Sequence, residues 1–430
     1  MNMNNHKNWL TCTMQAVSNV YNGNSISETE KAHEFTNLKS GYNYISTKDI
    51  NFDATIDYNN GLKIPFIRKD FKIAPKNTPL LCIEGGSAGR KLGFLTEDVC
   101  FGNKLCAFVS PFSKWIYYYL QSDNFQNYFK FNRNGLIGGV SINKLKKALI
   151  PVPPMAEQKR IVKKIEELFG IIDKTVKYLN DTKQHLAQYR QSVLQQAFSG
   201  KLHKTTVWSQ NSLNDLCKYI QRGKSPKYIT HSTLPVINQK CIRWNELQIQ
   251  YLKFIDPVQF ESWIRERHVQ PMDILWNSTG TGTIGRAYLY QGTELEDAVV
   301  DSHVTIVRAD AKKINPNFLF FYIQSPFIQR KIEKMQSGST NQVELARKEI
   351  QNIQVNLPSL PEQKAIVAKI ETALAAADKA EKVISAALEQ AKQLKQSILK
   401  RAFEGKLVPQ DPNDEPVDLS QLKKYKGKSK

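Results

Sequence analysis

The sequence predicts an α+β protein in which one unit occurs twice, each unit being a mixed α/β lobe followed by a long helix. An internal repeat carries this prediction: residues 157–202 align without a gap on residues 362–407, and 20 of the 46 positions are identical. Within both copies, apolar side chains recur at steps of three and four residues, which is typical of a helix with one buried stripe. A chain of 430 residues is long enough for the two or three domains that this organisation requires.

Composition narrows the class of protein. The net charge is +20 and the isoelectric point is about 9.5, which favours a polyanionic partner, most simply nucleic acid, although a merely soluble basic protein could carry the same charge. Long apolar runs are missing, and the first ten residues contain no apolar signal, so we expect no membrane span, no secretion and a cytoplasmic location. The six cysteines form no Cys-x-x-Cys pair and the seven histidines are scattered, so we expect reduced thiols and no metal site.

The first lobe is predicted to span residues 1–152 and the second residues 203–357. Both contain short stretches rich in β-branched and aromatic residues, separated by glycine-rich turns and followed by a helix. The corresponding segments are "YISTKDI" (44–50) with "VINQKCI" (236–242), and "LLCIEGGSAGRKLGFL" (80–95) with "ILWNSTGTGTIGRAYL" (274–289). Both lobes are basic: residues 1–150 carry 18 Lys and Arg against 11 Asp and Glu, and residues 203–350 carry 19 against 14. We therefore expect one scaffold that presents two different surfaces.

The two long helices are predicted within residues 153–202 and 358–407. The stretch "SLPE" (359–362) fits a capping box with proline in the first turn, and Gly200 and Gly405 are placed to end the helices. Each helix of about 43 residues would be about 65 Å long. Neither can bury its apolar stripe alone, so we expect the two to pack on each other as a coiled coil. The alternative is that each stripe packs only on its own neighbouring lobe.

No catalytic motif stands out in the chain. The stretch "GKS" (223–225) resembles the end of a phosphate-binding loop, but the glycine required five residues earlier is replaced by Lys218. The glycine-rich residues 278–285 lack the acidic residue that follows in a dinucleotide site. We find neither the catalytic loop of an adenine methyltransferase nor a helicase or nuclease motif. The sequence therefore predicts a reader and not an enzyme.

The repeated residues resemble those of a known family. The doubled "PPMAEQKRIV" (153–162) and "PSLPEQKAIV" (358–367), the paired "QxxLxxAFxGKL" helix ends and the order lobe–helix–lobe–helix are similar to the specificity subunit of type I restriction–modification systems, HsdS. The similarity runs from Trp9 to about Pro416. It implies that each lobe is a target recognition domain that reads one half of a split, asymmetric DNA site. It also implies that the helices are spacers, packed antiparallel as a coiled coil, with a pseudo-twofold axis relating the lobes.

The resemblance also implies partners. Two modification subunits would dock on the helices and lobes and methylate one adenine in each half-site, and restriction subunits would join them for ATP-dependent cleavage. S-adenosylmethionine, ATP and magnesium would bind those partner subunits, and this chain would hold no cofactor. The complex would act on double-stranded DNA in the cytoplasm of a bacterium or an archaeon, as a host defence.

Candidate contact residues follow from predicted loops and from side chains able to reach phosphates or base edges. The DNA-binding residues predicted in the first lobe are Lys48, Ser87, Arg90, Lys91, Asn132, Arg133 and Asn134. Those predicted in the second lobe are Lys224, Lys240, Arg243, Ser278, Thr279, Thr281, Arg286, Ser339, Asn341 and Gln342. The positions predicted to be exposed for docking of modification subunits are Gln158, Lys159, Phe198, Gln363, Lys364 and Phe403. The two phenylalanines could instead close the coiled coil.

The last segment, residues 408–430, is predicted to be a disordered basic tail. Its end, "KKYKGKSK" (423–430), would add nonspecific affinity for DNA. Two other classes of function stay open. A self-contained, type II-like restriction and methylation enzyme would cut or methylate DNA alone, and a coiled-coil scaffold without a DNA role would show no sequence-dependent binding and no steep loss of affinity with salt. A silent or phase-variable specificity cassette would have the same sequence pattern as the favoured reading.

Overall fold

The structure, a computed structural model, describes residues 8–135, 138–200, 208–293, 295–337 and 343–418. The chain divides into two compact units. Unit 1 comprises residues 1–178 and 387–430, and unit 2 comprises residues 179–386. Each unit therefore combines one lobe with part of each of the two long helices.

The first lobe is built from short strands and short helices. Its strands are β1 (Leu10–Thr13), β2 (Asn19–Asn22), β3 (Tyr42–Ile45), β4 (Lys63–Ile64), β5 (Ile73–Ala74), β6 (Pro79–Cys82), β7 (Leu92–Phe94), β8 (Val99–Phe101), β9 (Leu105–Val109) and β10 (Leu149–Val152). Its helices are α1 (Met14–Val17), α2 (Glu28–Glu30), α3 (Ser113–Gln121), α4 (Asp123–Asn132) and α5 (Ile142–Lys147), with a π-helical turn at Lys31–Phe35. A serine begins several of them, because its hydroxyl accepts a hydrogen bond from a first-turn backbone N–H: Ser27 for α2, Ser122 for α4 and Ser141 for α5.

The strands of the first lobe form two main sheets within the described residues. One is antiparallel throughout and has the order β2-β9-β6-β7, and the other has the order β4-β3-β8-β5 with β3 parallel to β8. Strand β1 pairs antiparallel with β10, so the first and last strands of the lobe meet where the long helix begins. The core of this lobe contains fully buried aromatic side chains, among them Phe108, Trp115 and Phe125.

The first long helix, α6 (Met155–Phe198), precedes the second lobe, and the second, α13 (Leu360–Phe403), follows it. The strands of this lobe are β11 (Ser209–Ser212), β12 (Cys217–Arg222), β13 (Tyr228–Ile229), β14 (Pro235–Ile237), β15 (Lys253–Ile255), β16 (Ile274–Asn277), β17 (Ala287–Leu289), β18 (Val299–Val300), β19 (Val304–Ala309), β20 (Gln336–Ser337), β21 (Glu344–Leu345) and β22 (Gln354–Leu357). Its helices are α7 (Leu213–Leu216), α8 (Pro257–Glu261), α9 (Pro316–Gln324), α10 (Pro326–Gln329), α11 (Ile332–Met335) and α12 (Arg347–Gln351), with 3-10 turns at Ile249–Tyr251 and Arg265–Arg267.

The second lobe repeats the framework of the first. Its antiparallel sheet has the order β12-β19-β16-β17, strand for strand the counterpart of β2-β9-β6-β7. The parallel pair β3 and β8 recurs as β14 and β18, and the closing pair β1 and β10 recurs as β11 and β22. The edges of the second sheet differ, because β13 and β15 extend it in unit 2 where β4 and β5 flank it in unit 1. The predicted internal repeat is therefore confirmed, with its differences at sheet edges and in loops.

The long helices pack on each other and on the lobes, so the predicted antiparallel coiled coil holds within each unit. In unit 1, Lys395 of α13 forms an ion pair of 2.5 Å with Asp173 of α6, and apolar residues of both helices share one core with the lobe. In unit 2, Arg190 of α6 is 2.7 Å from Asp378 and 2.9 Å from Glu381 of α13. Within unit 2, Lys183 is 3.7 Å from Glu381 and Arg190 is 2.7 Å from Asp378, so residues later in α6 meet residues earlier in α13, as antiparallel helices do. The alternative, packing of each helix on a lobe alone, is excluded by these contacts.

Helix α13 ends in the way that the sequence predicted. Gly405 has a φ of +66°, its N–H donates to the carbonyl of Ala402, and the N–H of Lys406 donates to the carbonyl of Arg401, a Schellman motif. Gly200, after α6, has a φ of +75°. None of the described helices combines the length and apolar character needed to span a bilayer.

The segment after α13 differs from the predicted disordered tail over residues 408–418. The Asp414 carboxylate forms an ion pair of 2.5 Å with Arg160, and Val408 and Val417 pack against the core of unit 1. This ion pair and these apolar contacts hold residues 408–418 against unit 1, although the composition of the segment predicts disorder. The end of the predicted tail, "KKYKGKSK" (423–430), lies outside the described residues.

Candidate nucleic-acid interface

A tight turn after β6 presents several of the predicted residues of the first lobe. Gly85 and Gly89 have φ of +85° and +76°, and a Cβ on Gly89 would lie 2.8 Å from the ring of Phe129. The turn is closed by backbone hydrogen bonds of 3.0 Å from Ala88 to Gly85 and 2.8 Å from Gly89 to Cys82. The positive φ favours glycine at both positions, and the ring of Phe129 leaves no room for a Cβ at position 89, so the glycines of "EGGSAGRK" (84–91) suit this turn.

Hydrogen bonds bring three loops of the first lobe together. The Lys91 ammonium donates to the carbonyl of Thr47 at 2.9 Å, beside Lys48. The Arg133 guanidinium donates to the carbonyls of Gly85 and Gly138, each at 3.1 Å. The predicted residues therefore lie in three neighbouring segments, which we call the basic loop cluster: Lys48, Ser87, Arg90, Lys91, Asn132 at the end of α4, Arg133 and Asn134. All seven are exposed or half-buried.

Within the basic loop cluster, Arg90, Lys91 and Arg133 are not neutralised by ion pairs with acidic side chains. Elsewhere in the first lobe, Arg68 pairs with two carboxylates and Lys104 with one. Among the described residues, no ion pair involves Arg90, Lys91 or Arg133. Their guanidinium and ammonium groups bond to neutral backbone carbonyls instead, so these three side chains keep their positive charge.

The second lobe builds the same kind of turn after β16. Gly280 and Gly285 have φ of +96° and +87°, and the N–H of Gly285 donates to the carbonyl of Asn277 at 2.9 Å, as Gly89 does to Cys82. The Asn277 carboxamide donates to the carbonyl of Gln239 at 3.1 Å, which joins this turn to the loop of residues 238–248. The turn therefore presents Thr281 and Arg286 next to the loop that carries Lys240 and Arg243.

The residues predicted in the second lobe divide by burial. Lys224, Lys240 and Thr281 are exposed, and Arg243 and Arg286 are half-buried. Ser278 is fully buried, and its hydroxyl accepts from Thr305 at 2.9 Å, whereas Thr279 is 9% exposed and bonds to Nδ1 of His303 at 2.6 Å. This burial corrects the prediction that Ser278 and Thr279 contact DNA, because both hydroxyls are used within the lobe. Ser339, Asn341 and Gln342 lie outside the described residues.

A polar cleft of about 460 Å³ lies beside these loops in unit 2. Its lining includes Asn238, Gln239, Lys240, Tyr228, Asp301 and His303. Asp301 accepts from the backbone N–H of His303 at 2.9 Å, and burial raises its pKa above the ordinary value. Sequence reasoning missed most of this lining. Asn238 and Gln239 directly precede Lys240 and could have been found from that position, but no local signal marks Asp301 or His303.

The repeated Glu-Gln-Lys stretch ties each lobe to a long helix. Glu157 accepts from the Trp9 indole N–H at 2.9 Å, and the Gln158 carboxamide donates to the carbonyl of Pro153 at 2.8 Å. The second copy repeats both bonds, from Trp208 to Glu362 at 3.3 Å and from Gln363 to Pro358 at 2.8 Å. Gln158 and Gln363 are buried, which corrects the prediction that they are exposed docking positions. Lys159 and Lys364, one residue further, are exposed as predicted.

The phenylalanine near the end of each helix packs into an aromatic cluster of a lobe. Phe403 lies 4.5 Å from the ring of Trp115 and 5.1 Å from that of Tyr119. Phe198 lies 5.1 Å from Phe318 and 5.2 Å from Tyr322. Both phenylalanines are buried, so they are not docking positions. Both pack a helix end onto a lobe, whereas the alternative left open by the sequence was that they close the coiled coil.

Two α/β lobes of one framework, each packed on segments of paired long helices, define a class of internally duplicated α+β proteins. Within this class the chain belongs to the family of the type I restriction modification DNA specificity domain, whose model matches residues 6–181 and 207–390. The two matches coincide with the two copies of the repeat.

Relatives cover almost the whole chain. The EcoBI specificity subunit of Escherichia coli is 27% identical over 96% of this chain and 90% of its own length. The EcoKI specificity subunit of Escherichia coli K12 is 24% identical over 82% of this chain and 80% of its own. Among solved structures, a chain from a study of type I R-M complex assembly superposes with a TM-score of 0.72 at 16% identity, covering 94% of this chain and 99% of that one. The HsdS subunit from Thermoanaerobacter tengcongensis superposes with a TM-score of 0.52 at 16% identity, covering 93% and 98%. These likenesses show the fold.

Proposed function

We propose that this chain is the DNA specificity subunit of a type I restriction–modification complex, in which each lobe reads one half of a split, asymmetric DNA sequence. One observation carries the proposal: the same glycine turn occurs once in each lobe, with cationic side chains on it, while the surrounding loops differ. A shared framework with different loops is what two half-sites of different sequence require. Membership of the DNA specificity family supports the same conclusion.

Reading and affinity would come from different side chains. Arginine and lysine residues of the basic loop cluster, with Lys224 and Lys240 in unit 2, would contact phosphates and supply the salt-dependent part of the affinity. Amides and hydroxyls at the surface, namely those of the exposed Asn134 and Thr281 and of the half-buried Ser87, would contact base edges in the major groove, where the four base pairs differ in their donors and acceptors.

Methyl transfer and cleavage would belong to partner subunits. The relatives are named as specificity subunits of type I restriction enzymes, which supports a non-catalytic role within a larger complex. We propose two modification subunits, one for each copy of the repeat, and restriction subunits that join them on DNA. S-adenosylmethionine, ATP and magnesium would bind to those subunits, and the complex would work in the cytoplasm. Lys159 and Lys364, exposed and equivalent, are the docking positions that this proposal retains.

Methylome sequencing tests the proposal. The chain is expressed with its modification subunit in a host without other adenine methylation, and a bipartite motif with one methylated adenine in each half is expected. Hosts that express either protein alone are the controls and should show no methylation. Absence of a bipartite motif would argue strongly against the proposed function, and methylation by the chain alone would favour the self-contained enzyme.

A further inference from the structure

We propose that Phe52 is a wedge that enters the DNA stack and unstacks one base step in the half-site read by the first lobe. This inference rests on the proposed function, since it requires that the lobe bind DNA. Aromatic and aliphatic side chains that enter DNA between base pairs are known to unstack and kink it, so that more protein surface can reach the duplex. Phe52 would therefore act by unstacking bases, since its ring can neither contact phosphates as a cation nor form hydrogen bonds with base edges.

Phe52 carries an apolar ring that is exposed on a hydrogen-bonded loop. The ring is 65% exposed, although both ends of its loop are tied together by a bridge between Ile50 and Ile56. Within the loop, the N–H of Asn51 donates to the carbonyl of Thr55 at 2.9 Å, and its carboxamide donates to the Thr55 hydroxyl at 2.9 Å. Ala54 adopts a φ of +69°, a conformation that an alanine takes only where its surroundings impose it. These contacts hold the backbone of the loop, from which the ring of Phe52 projects with most of its surface exposed.

Two cations of the basic loop cluster form cation–π contacts with this ring. The guanidinium carbon of Arg90 and the ammonium nitrogen of Lys91 each lie 5.3 Å from the ring centroid. Cation–π contacts at this distance hold the ring in place without burying it. The two cations form no ion pair with an acidic side chain among the described residues, so they would attract phosphates close to the apolar tip. Charge complementarity thus points to DNA as the occupant of this surface.

The equivalent position of the second lobe is used differently. Extending the match of "YISTKDI" (44–50) with "VINQKCI" (236–242) by two residues places Trp244 opposite Phe52. Its loop is closed by a corresponding bridge between Ile242 and Leu247. Trp244, however, is half-buried against the core of unit 2. We therefore expect unstacking in one half-site only, and we assign Trp244 to the packing of its lobe.

Ile67 supplies a matched control on the same lobe. Its side chain is 84% exposed, more than that of Phe52. The neighbouring guanidinium of Arg68 is paired with Glu34 at 3.0 Å and with Asp70 at 2.9 Å, so the cation next to Ile67 in the sequence is neutralised. An exposed apolar side chain beside a neutralised cation should give no DNA contact.

The test uses the complex of the full chain with its modification subunits, bound to its methylation motif. 2-Aminopurine replaces single purines of the half-site that belongs to the first lobe, with the target adenine left unlabelled because methylation itself can unstack that base. The wild-type complex should raise the fluorescence several-fold at one base step. Phe52→Ala should abolish this rise, Phe52→Trp should retain it, and Ile67→Ala should leave it unchanged. Labels in the other half-site should stay silent.

The other possible results would overturn either the wedge role of Phe52 or the proposed function. A fluorescence rise that survives in Phe52→Ala would overturn the wedge, as would a silent wild-type complex that still binds its motif. If the wild type is silent, a second measurement replaces one thymine by uracil. A fall in affinity that occurs in the wild type and not in Phe52→Ala would mean that Phe52 contacts the thymine methyl group in the groove and does not enter the stack. Failure of the wild-type complex to prefer its motif would instead overturn the proposed function, and the inference with it. Equal melting temperatures of Phe52→Ala and wild type exclude unfolding as the cause of a lost signal.

Discussion

At the start of each long helix, a glutamate and a glutamine face inward. Glu157 holds the tryptophan that precedes β1, and Gln158 holds the proline carbonyl that follows β10. The first and last strands of the lobe are thereby fixed to the helix by two side chains. Because the same two bonds recur at Glu362 and Gln363, the near-identity of the two stretches has a structural cause. The adjoining lysines remain exposed and available to partners.

Substituting Gln363 by alanine should destabilise the protein. The carboxamide donates to the carbonyl of Pro358 and accepts from the backbone N–H of Asn315, both at 2.8 Å in a buried setting. Loss of both bonds leaves buried polar groups unpaired, which costs about 1–3 kcal/mol for each such group. Thermal unfolding of the full chain would measure the effect. Lys364→Ala, one residue away and exposed, should change stability by less than about 0.5 kcal/mol. Equal melting temperatures for the two variants would contradict the assigned role.

Among the elements, the helix ends connect parts of the chain that are far apart in sequence. The end of α13 packs on the aromatic residues of α3 in the first lobe, and the end of α6 packs on those of α9 in the second. Each lobe is thus completed by the end of the helix that does not directly follow it. A helix assigned to one lobe by sequence order therefore contributes to the core of the other.

A matched pair of substitutions tests this reciprocity. Phe403→Ala should speed hydrogen exchange in α3 and leave α9 protected, and Phe198→Ala should do the reverse. Each truncation leaves a cavity in a buried aromatic cluster, and such changes cost about 3–5 kcal/mol. Hydrogen–deuterium exchange with mass spectrometry on the full chain resolves the two helices. Loosening of the lobe that directly precedes the mutated helix would contradict the packing described here.

The segment after α13 should be released by acid. The hydrogen-bonded Arg160 guanidinium holds the pKa of Asp414 below its usual value. A lowered folded-state pKa means that the contact contributes stability above the ordinary aspartate pKa of about 3.9, and that this contribution is lost as the pH falls through the lowered value. Exchange protection of residues 408–418 should therefore fall on acidification. Asp414→Asn should show weak protection already at neutral pH, whereas the exposed Glu415→Gln should behave as wild type.

On the scale of the whole molecule, the lobes should be exchangeable. Replacing residues 1–152 by the first lobe of another family member should change one half of the methylated motif and preserve the other half. The donor lobe must present aromatic residues where Trp115 and Tyr119 meet Phe403, since without them the transplanted lobe lacks part of its core. Methylome sequencing reads the outcome. A change in both halves, or in neither, would contradict one half-site for each lobe.

The sequence predicted local features well and remote ones poorly. Both long helices were predictable because their apolar periodicity is written within a few turns, and Gly405 ends its helix for a reason that needs only neighbouring residues. The burial of Gln158 was not predictable, since its environment is set by a carbonyl at the end of the lobe. The sequence likewise predicts Ser278 as a loop contact, whereas Thr305, on a strand 27 residues further along the chain, donates a hydrogen bond to its hydroxyl inside the lobe.

By itself, the sequence determined the duplication, the two long helices, the basic character of both lobes and the family. These follow from composition, periodicity and repeated motifs, which are properties of neighbouring or aligned residues. Only the tertiary structure decided which helix end completes which lobe, that three loops form one cationic surface and that an exposed phenylalanine stands among its cations. Such features depend on strand pairing and side-chain packing between residues that are distant in sequence. A hydrogen bond such as that from Lys91 to Thr47 cannot be predicted from the residues next to either partner.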